Sequence, residues 1–94
     1  MIKHIVFTKF RDPDESVPAA IAMFADLPGK IPEIRSIETG RDVMHSERNF
    51  DMALIVTFDD LEALKRYDSH PAHQEIRAYI KARRTASATV DFEF

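Results

Sequence analysis

The chain has 94 residues, no cysteine, a formal net charge of −3 and 31% charged side chains. Those totals exclude a disulfide scaffold, a thiolate nucleophile and a cysteine-held metal, and they argue against a nucleic-acid partner. No apolar run approaches bilayer-spanning length and the N-terminus has no signal-peptide layout, so a single cytoplasmic domain over residues 1–94, with no membrane partner, is expected.

Residues 2–10 are β-branched and aromatic and read as a strand. Its even face carries Ile2, His4, Val6, Thr8 and Phe10; its odd face carries Lys3, Ile5, Phe7 and Lys9. Both faces hold apolar residues, which predicts cover on both sides. A turn with Pro13 and three acids follows. Ser16 is the expected cap and Pro18 a first-turn residue, so the spacing of Val17, Ile21, Phe24 and Leu27 predicts a helix over 16–27. Pro28-Gly29 ends it.

Ile34 to Gly40 reads as a shorter, more polar edge strand. A polar loop holding His45 leads to the clearest strand, 50–58, with Met52, Leu54, Val56 and Phe58 on one face and Ala53, Ile55 and Thr57 on the other. Asp59-Asp60 offers a cap for a helix through Leu61, Leu64 and Tyr67. Ser69-His70-Pro71 breaks that helix, because a residue before proline disfavours the α conformation. Pro71 then opens another helix that carries Ile76, Tyr79 and Ile80 inward and ends in Lys81, Arg83 and Arg84. Ala86 to Phe94 is a one-sided last strand.

The order β-α-β-β-α-α-β is the split βαβ plan, an α+β ferredoxin-like fold with four antiparallel strands and helices on one face. It puts the first and third strands in the centre, and these are the two with apolar residues on both faces. The face away from the helices then exposes Ile5, Phe7 and part of the third strand. That patch is too apolar for a monomer, and a homodimer packed sheet to sheet is expected.

Four segments carry a further signal: Lys3-His4-Ile5-Val6-Phe7-Thr8-Lys9-Phe10, Leu27-Pro28-Gly29-Lys30-Ile31-Pro32, the Tyr67–His73 stretch ending in His70-Pro71-Ala72-His73, and Val90-Asp91-Phe92-Glu93. Together they resemble the stress-responsive A/B barrel (Dabb) family. The resemblance implies a dimeric α+β barrel over residues 1–94. It also implies a site: one plant member closes a linear polyketide by aldol condensation with a tyrosine, the second histidine of the His-Pro-x-His segment and a histidine of the first strand. These positions fall on Tyr67, His73 and His4. Where that protein has another histidine, this chain has Met52.

The chemistry fits the residue types. An aldol closure needs a base for the proton α to a carbonyl and a donor for the oxyanion that forms, roles open to a neutral histidine and a tyrosine hydroxyl. As third residue of its helix, His73 is expected to have a lowered pKa, and its spacing to Ile76 and Ile80 turns it inward.

Each residue also has a structural reading. His70 shapes the break; Tyr67 and His73 form a satisfied buried pair; His4 serves packing; His45 is solvated; the basic end of the last helix, with Arg77, Lys81, Arg83 and Arg84, is a solvated face. The spacing of His70 and His73 across a proline, with no carboxylate beside them, does not suit zinc, and no metal or cofactor is expected. The reading that follows is a homodimer binding a small apolar or carbonyl-bearing molecule between sheet and helices, with cofactor-free acid–base chemistry by His73, Tyr67 and His4. A non-catalytic stress or structural dimer is the alternative, and a cofactor-free monooxygenase the third.

Overall fold

The computed structural model describes residues 1–94. Its first strand, β1 (Ile2–Phe10), has helix α1 (Pro13–Ala25) after it. A single 3-10 turn at Leu27–Gly29 leads to β2 (Ser36–Arg41) and β3 (Met52–Phe58). Helices α2 (Leu61–Ser69) and α3 (Pro71–Arg83) precede the last strand, β4 (Arg84–Glu93). All pairings are antiparallel in the order β2-β3-β1-β4, so β1 and β3 are central as their two-faced apolar pattern requires.

Helix α1 begins earlier than the sequence pattern suggests. Asp12, not Ser16, is its cap, and its side chain accepts from the Glu15 N–H at 3.4 Å. Pro13 takes the first turn, where a missing N–H costs nothing. Ser16 is buried inside the helix and Pro18 lies within it. The helix also ends at Ala25, before Leu27, and Leu27 is buried in the following turn.

The other boundaries move for identifiable reasons. Phe50 and Asp51 stay out of β3, because Asp51 is used crosswise. Its backbone N–H donates to the Thr8 carbonyl at 2.9 Å and its carboxylate accepts from the Phe10 N–H at 2.8 Å. β2 starts at Ser36, two residues later than expected. β4 starts at Arg84, two residues earlier, because its pairing with β1 shifts between Lys9 and Phe10.

The core lies between the sheet and the helices. Ile2, Phe10, Leu54, Val56 and Phe58 supply it from the sheet, and Val17, Phe24, Leu64, Tyr67 and Ile76 from the helices. Full burial of each large side chain contributes about 1.5–3 kcal/mol before the entropy of ordering it is subtracted. The opposite sheet face has no such cover. Phe7 is 40% exposed, Val90 59% and Phe92 41%. Register puts them on one side, with Val90 across from Ile5, Ala88 from Phe7, and Phe92 from Lys3. No helix is long and apolar enough to cross a membrane.

Candidate functional site

His4 stands on the helix-facing side of β1, opposite Val56 on β3 and Asp91 on β4. Its Nδ1 contacts the Asp91 carboxylate, which holds the ring by one edge. From the other end of the chain comes His73. Helix α2 ends at Ser69, and His70 takes an extended backbone conformation with φ −64° and ψ 136°. The ring Nδ1 of His70 accepts from the Ala72 N–H at 3.1 Å, so His70 caps α3, which bears out its reading as punctuation.

The break also decides what His73 does. The last carbonyls of a helix have no partner within it. That of Asp68 accepts from the His73 Nδ1–H at 2.9 Å and from the Gln74 side chain at 2.5 Å. The hydrogen bond places the His73 proton on Nδ1 and leaves Nε2 as the acceptor. Burial pushes the His73 pKa down; the Asp68 carbonyl and carboxylate oppose that shift, and the charges of Arg77 and His4 add to it. The direction agrees with the sequence reading. The main cause is desolvation rather than the helix dipole.

Tyr67 lies behind both histidines. Its ring centroid is 4.3 Å from that of His73, 4.9 Å from Phe58 and 6.1 Å from His4. The side chain is fully buried, and its hydroxyl has no hydrogen-bond partner. The sequence reading offered His73 as that partner. Instead the two rings pack at an interplanar angle of 38°, and the Asp68 carbonyl takes the His73 N–H. Burial, with the Asp68 charge adding to it, keeps the phenol protonated well above its ordinary range.

His4 and His73 open onto a cavity of about 450 Å³ between sheet and helices. Val6, Leu54, Met52, Ile76 and Ile80 supply apolar wall. Tyr67 is not part of that wall; it is sealed behind it. The cavity also touches charged residues that the sequence reading does not place in the site: Asp91, Lys65, Asp68, Arg77 and Arg84. Arg77 and Arg84 were read as part of a solvated basic end. They are exposed, yet both border the cavity, whereas Arg83 folds over the Tyr79 ring at 3.7 Å. Asp91 could have been found from topology. The split βαβ plan pairs the last strand with the first, so the polar face of β4 must meet the face bearing His4.

His45 lies elsewhere, in the loop before β3. Its backbone is left-handed with φ 55°, and its N–H donates to Asp42 at 2.6 Å. Asn49 donates to the same carboxylate at 2.6 Å, and these donors hold Asp42 below the usual carboxylate range. His45 takes no part in the cavity.

Fold and cavity together define a ferredoxin-like α+β protein with a small-molecule-sized space between its layers. More narrowly, the chain belongs to the stress responsive A/B barrel domain family, which it matches over residues 2–94. An uncharacterised protein of Streptomyces coelicolor is 36% identical over 78 residues, which cover 79% of this chain and 80% of that one. Olivetolic acid cyclase of Cannabis sativa is 28% identical over 76 residues, 77% of this chain and 75% of the cyclase. Among solved structures, a dimeric ferredoxin-like protein of unknown function from Thermobifida fusca superimposes with a TM-score of 0.86 at 28% identity. That match covers 99% of this chain and 90% of the other.

Proposed function

We propose that the cavity binds a small, mostly apolar, carbonyl-bearing molecule and that His73, Tyr67 and His4 carry out cofactor-free acid–base chemistry on it. One observation carries the reading: His4 and His73, from opposite ends of the chain, converge on one cavity with an unpartnered tyrosine hydroxyl directly behind them. A buried polar group without a partner costs about 1–3 kcal/mol, so its retention calls for an explanation. The likeness to olivetolic acid cyclase supports the same chemistry.

In this reaction the His73 Nε2 takes a proton from a carbon α to one carbonyl. The enolate oxygen accepts a hydrogen bond from the Tyr67 hydroxyl, which remains protonated. The enolate carbon attacks a second carbonyl of the same molecule and forms the new carbon–carbon bond. The resulting alkoxide takes the proton back from the His73 imidazolium, and the cyclic alcohol then loses water and enolises to the aromatic product. His4, held by Asp91, orients the substrate carbonyl. Because Tyr67 is sealed off, the substrate must bring its oxygen between the two imidazoles to reach it.

The same reading takes the apolar open face of the sheet as the contact of a homodimer. Its support is the exposure of Phe7, Val90 and Phe92 and the dimeric relative from Thermobifida.

The test is cyclisation of a linear 2,4,6-triketone, followed by absorbance of the aromatic product and by chemical shifts of the two histidines. Acceleration that is lost in His73→Gln is expected. Perturbed histidine shifts without acceleration would favour a non-catalytic binding protein. Unchanged shifts across the titration would end the cavity reading.

A further inference from the structure

The cavity has a polarity that the acid–base reading leaves unused. Counting back along β4 from Asp91, the helix-facing positions are Thr89 and Ser87, which pair with Val6 and Thr8. A regular ladder would next place Thr85 across from Phe10 and send Arg84 to the open face. The ladder is not regular. Lys9 pairs with Ala86, the register shifts, and Phe10 pairs with Arg84. A shift of this kind re-aims one side chain relative to the strand pattern. Here it brings Arg84 to the helix side, and Arg84 borders the cavity.

Arg84 is also uncommitted. It belongs to none of the chain's seven ion pairs. The carboxylates that share the cavity are engaged elsewhere: Asp91 by His4, and Asp68 by Arg77 at 3.6 Å. Lys65 adds a further positive charge to the wall and has Glu62 at 3.4 Å. The C-terminus of α3 works against an anion here, since the negative end of its dipole is equivalent to about half a unit of charge. A full guanidinium charge outweighs it.

We propose that Arg84 makes this cavity selective for an elongated apolar molecule ending in a carboxylate. The inference rests on the cavity being a binding site. From His73 to Arg83, the last residue of α3, the helix rises about 15 Å, and Arg84 follows directly in extended conformation. A ligand engaging both therefore runs lengthwise beside α3, its carbonyl region at His73, its chain against Ile76 and Ile80, and its carboxylate at Arg84. A guanidinium fork suits a carboxylate better than a neutral hydroxyl.

Decanoate and 1-decanol are matched probes, the second lacking only the charged end. Binding of each is followed by calorimetry and by chemical shifts of His4 and His73. Decanoate should bind about fivefold more tightly at low ionic strength, an exposed guanidinium limiting the gain, and salt should erode the difference. In Arg84→Gln the preference should vanish while 1-decanol binds as before; in Lys81→Gln, off the cavity wall, it should persist. Equal affinities in the natural chain, or a preference that survives Arg84→Gln, overturn the role of Arg84 and leave the cavity reading standing. Failure of both probes to perturb His4 and His73 overturns both proposals together.

Discussion

Tyr67 and His73 pack ring against ring, 4.3 Å between centroids, yet exchange no hydrogen bond. The proline break lies between them in sequence. It releases the Asp68 carbonyl to take the His73 Nδ1–H, and the Tyr67 hydroxyl is left without a partner beside the packed rings. The tyrosine is thus both a core aromatic and an unsatisfied donor.

That dual state predicts a divergence between stability and function. Tyr67→Phe keeps the ring and removes a buried donor that has no partner. The variant should be more stable by about 1 kcal/mol, read as a raised thermal midpoint, while triketone cyclisation falls. A lowered midpoint would mean that the hydroxyl is satisfied in solution.

His73 should make stability depend on pH in one direction. Its folded pKa lies below the ordinary 6.5, so the unfolded chain takes up a proton first as pH falls. Stability is then fully present above about pH 6.5, declines as pH drops below that value, and stops declining on this account once the folded pKa is passed. Denaturation of the natural chain and of His73→Gln across this range isolates the effect as the difference in slope. Direct titration of the imidazole by NMR gives the folded pKa itself.

The caps can be tested individually. The Asp60 side chain accepts from the Ala63 N–H at 2.8 Å at the start of α2. Asp60→Ala should cost about 1 kcal/mol in chemical denaturation. Because α2 presents Tyr67, heteronuclear spectra should place the largest changes along α2 and at the His73 ring.

The open sheet face gives a fourth outcome. Phe7→Glu sets a charge in the centre of the apolar patch and leaves the cavity side of β1 unchanged. Sedimentation should show a shift from dimer to monomer, and circular dichroism should retain the α+β signature. A variant that still sediments as the natural chain does would place any self-association elsewhere.

Much of this was legible from periodicity. The alternation in β1 put His4 on the same side as Val6 and Thr8, and the spacing of His73, Ile76 and Ile80 turned His73 inward. Both residues border the cavity. The two-faced apolar pattern of β1 and β3 marked the central strands. The start of α1 was not legible, because Asp12 with Pro13 and Ser16 with Pro18 are both acceptable openings. Burial of Ser16 and Val17 against the sheet decided between them. The shift in β4 leaves no mark in composition, since it is a backbone event set by how the chain returns from α3. Arg84 therefore read as one more charge at a helix end. The Tyr67–His73 relation was half legible: proximity followed from the break, but the competing Asp68 carbonyl became visible only in three dimensions.

The two faces of β1 give substitutions in this small chain an unusual independence. Even-numbered positions border the cavity and core, odd-numbered positions the open apolar surface, and the sheet itself is the partition. A change at Phe7 and one at His4 act through different neighbours and should combine additively. Insertion of a single residue near the start of β1 is another matter. It would send His4 outward and an apolar neighbour inward, altering the cavity wall and the open face in one step, whereas a two-residue insertion restores the parity. Lineages of this fold are thus free to exchange ligands and partners separately by substitution, but not to drift in strand length by ones.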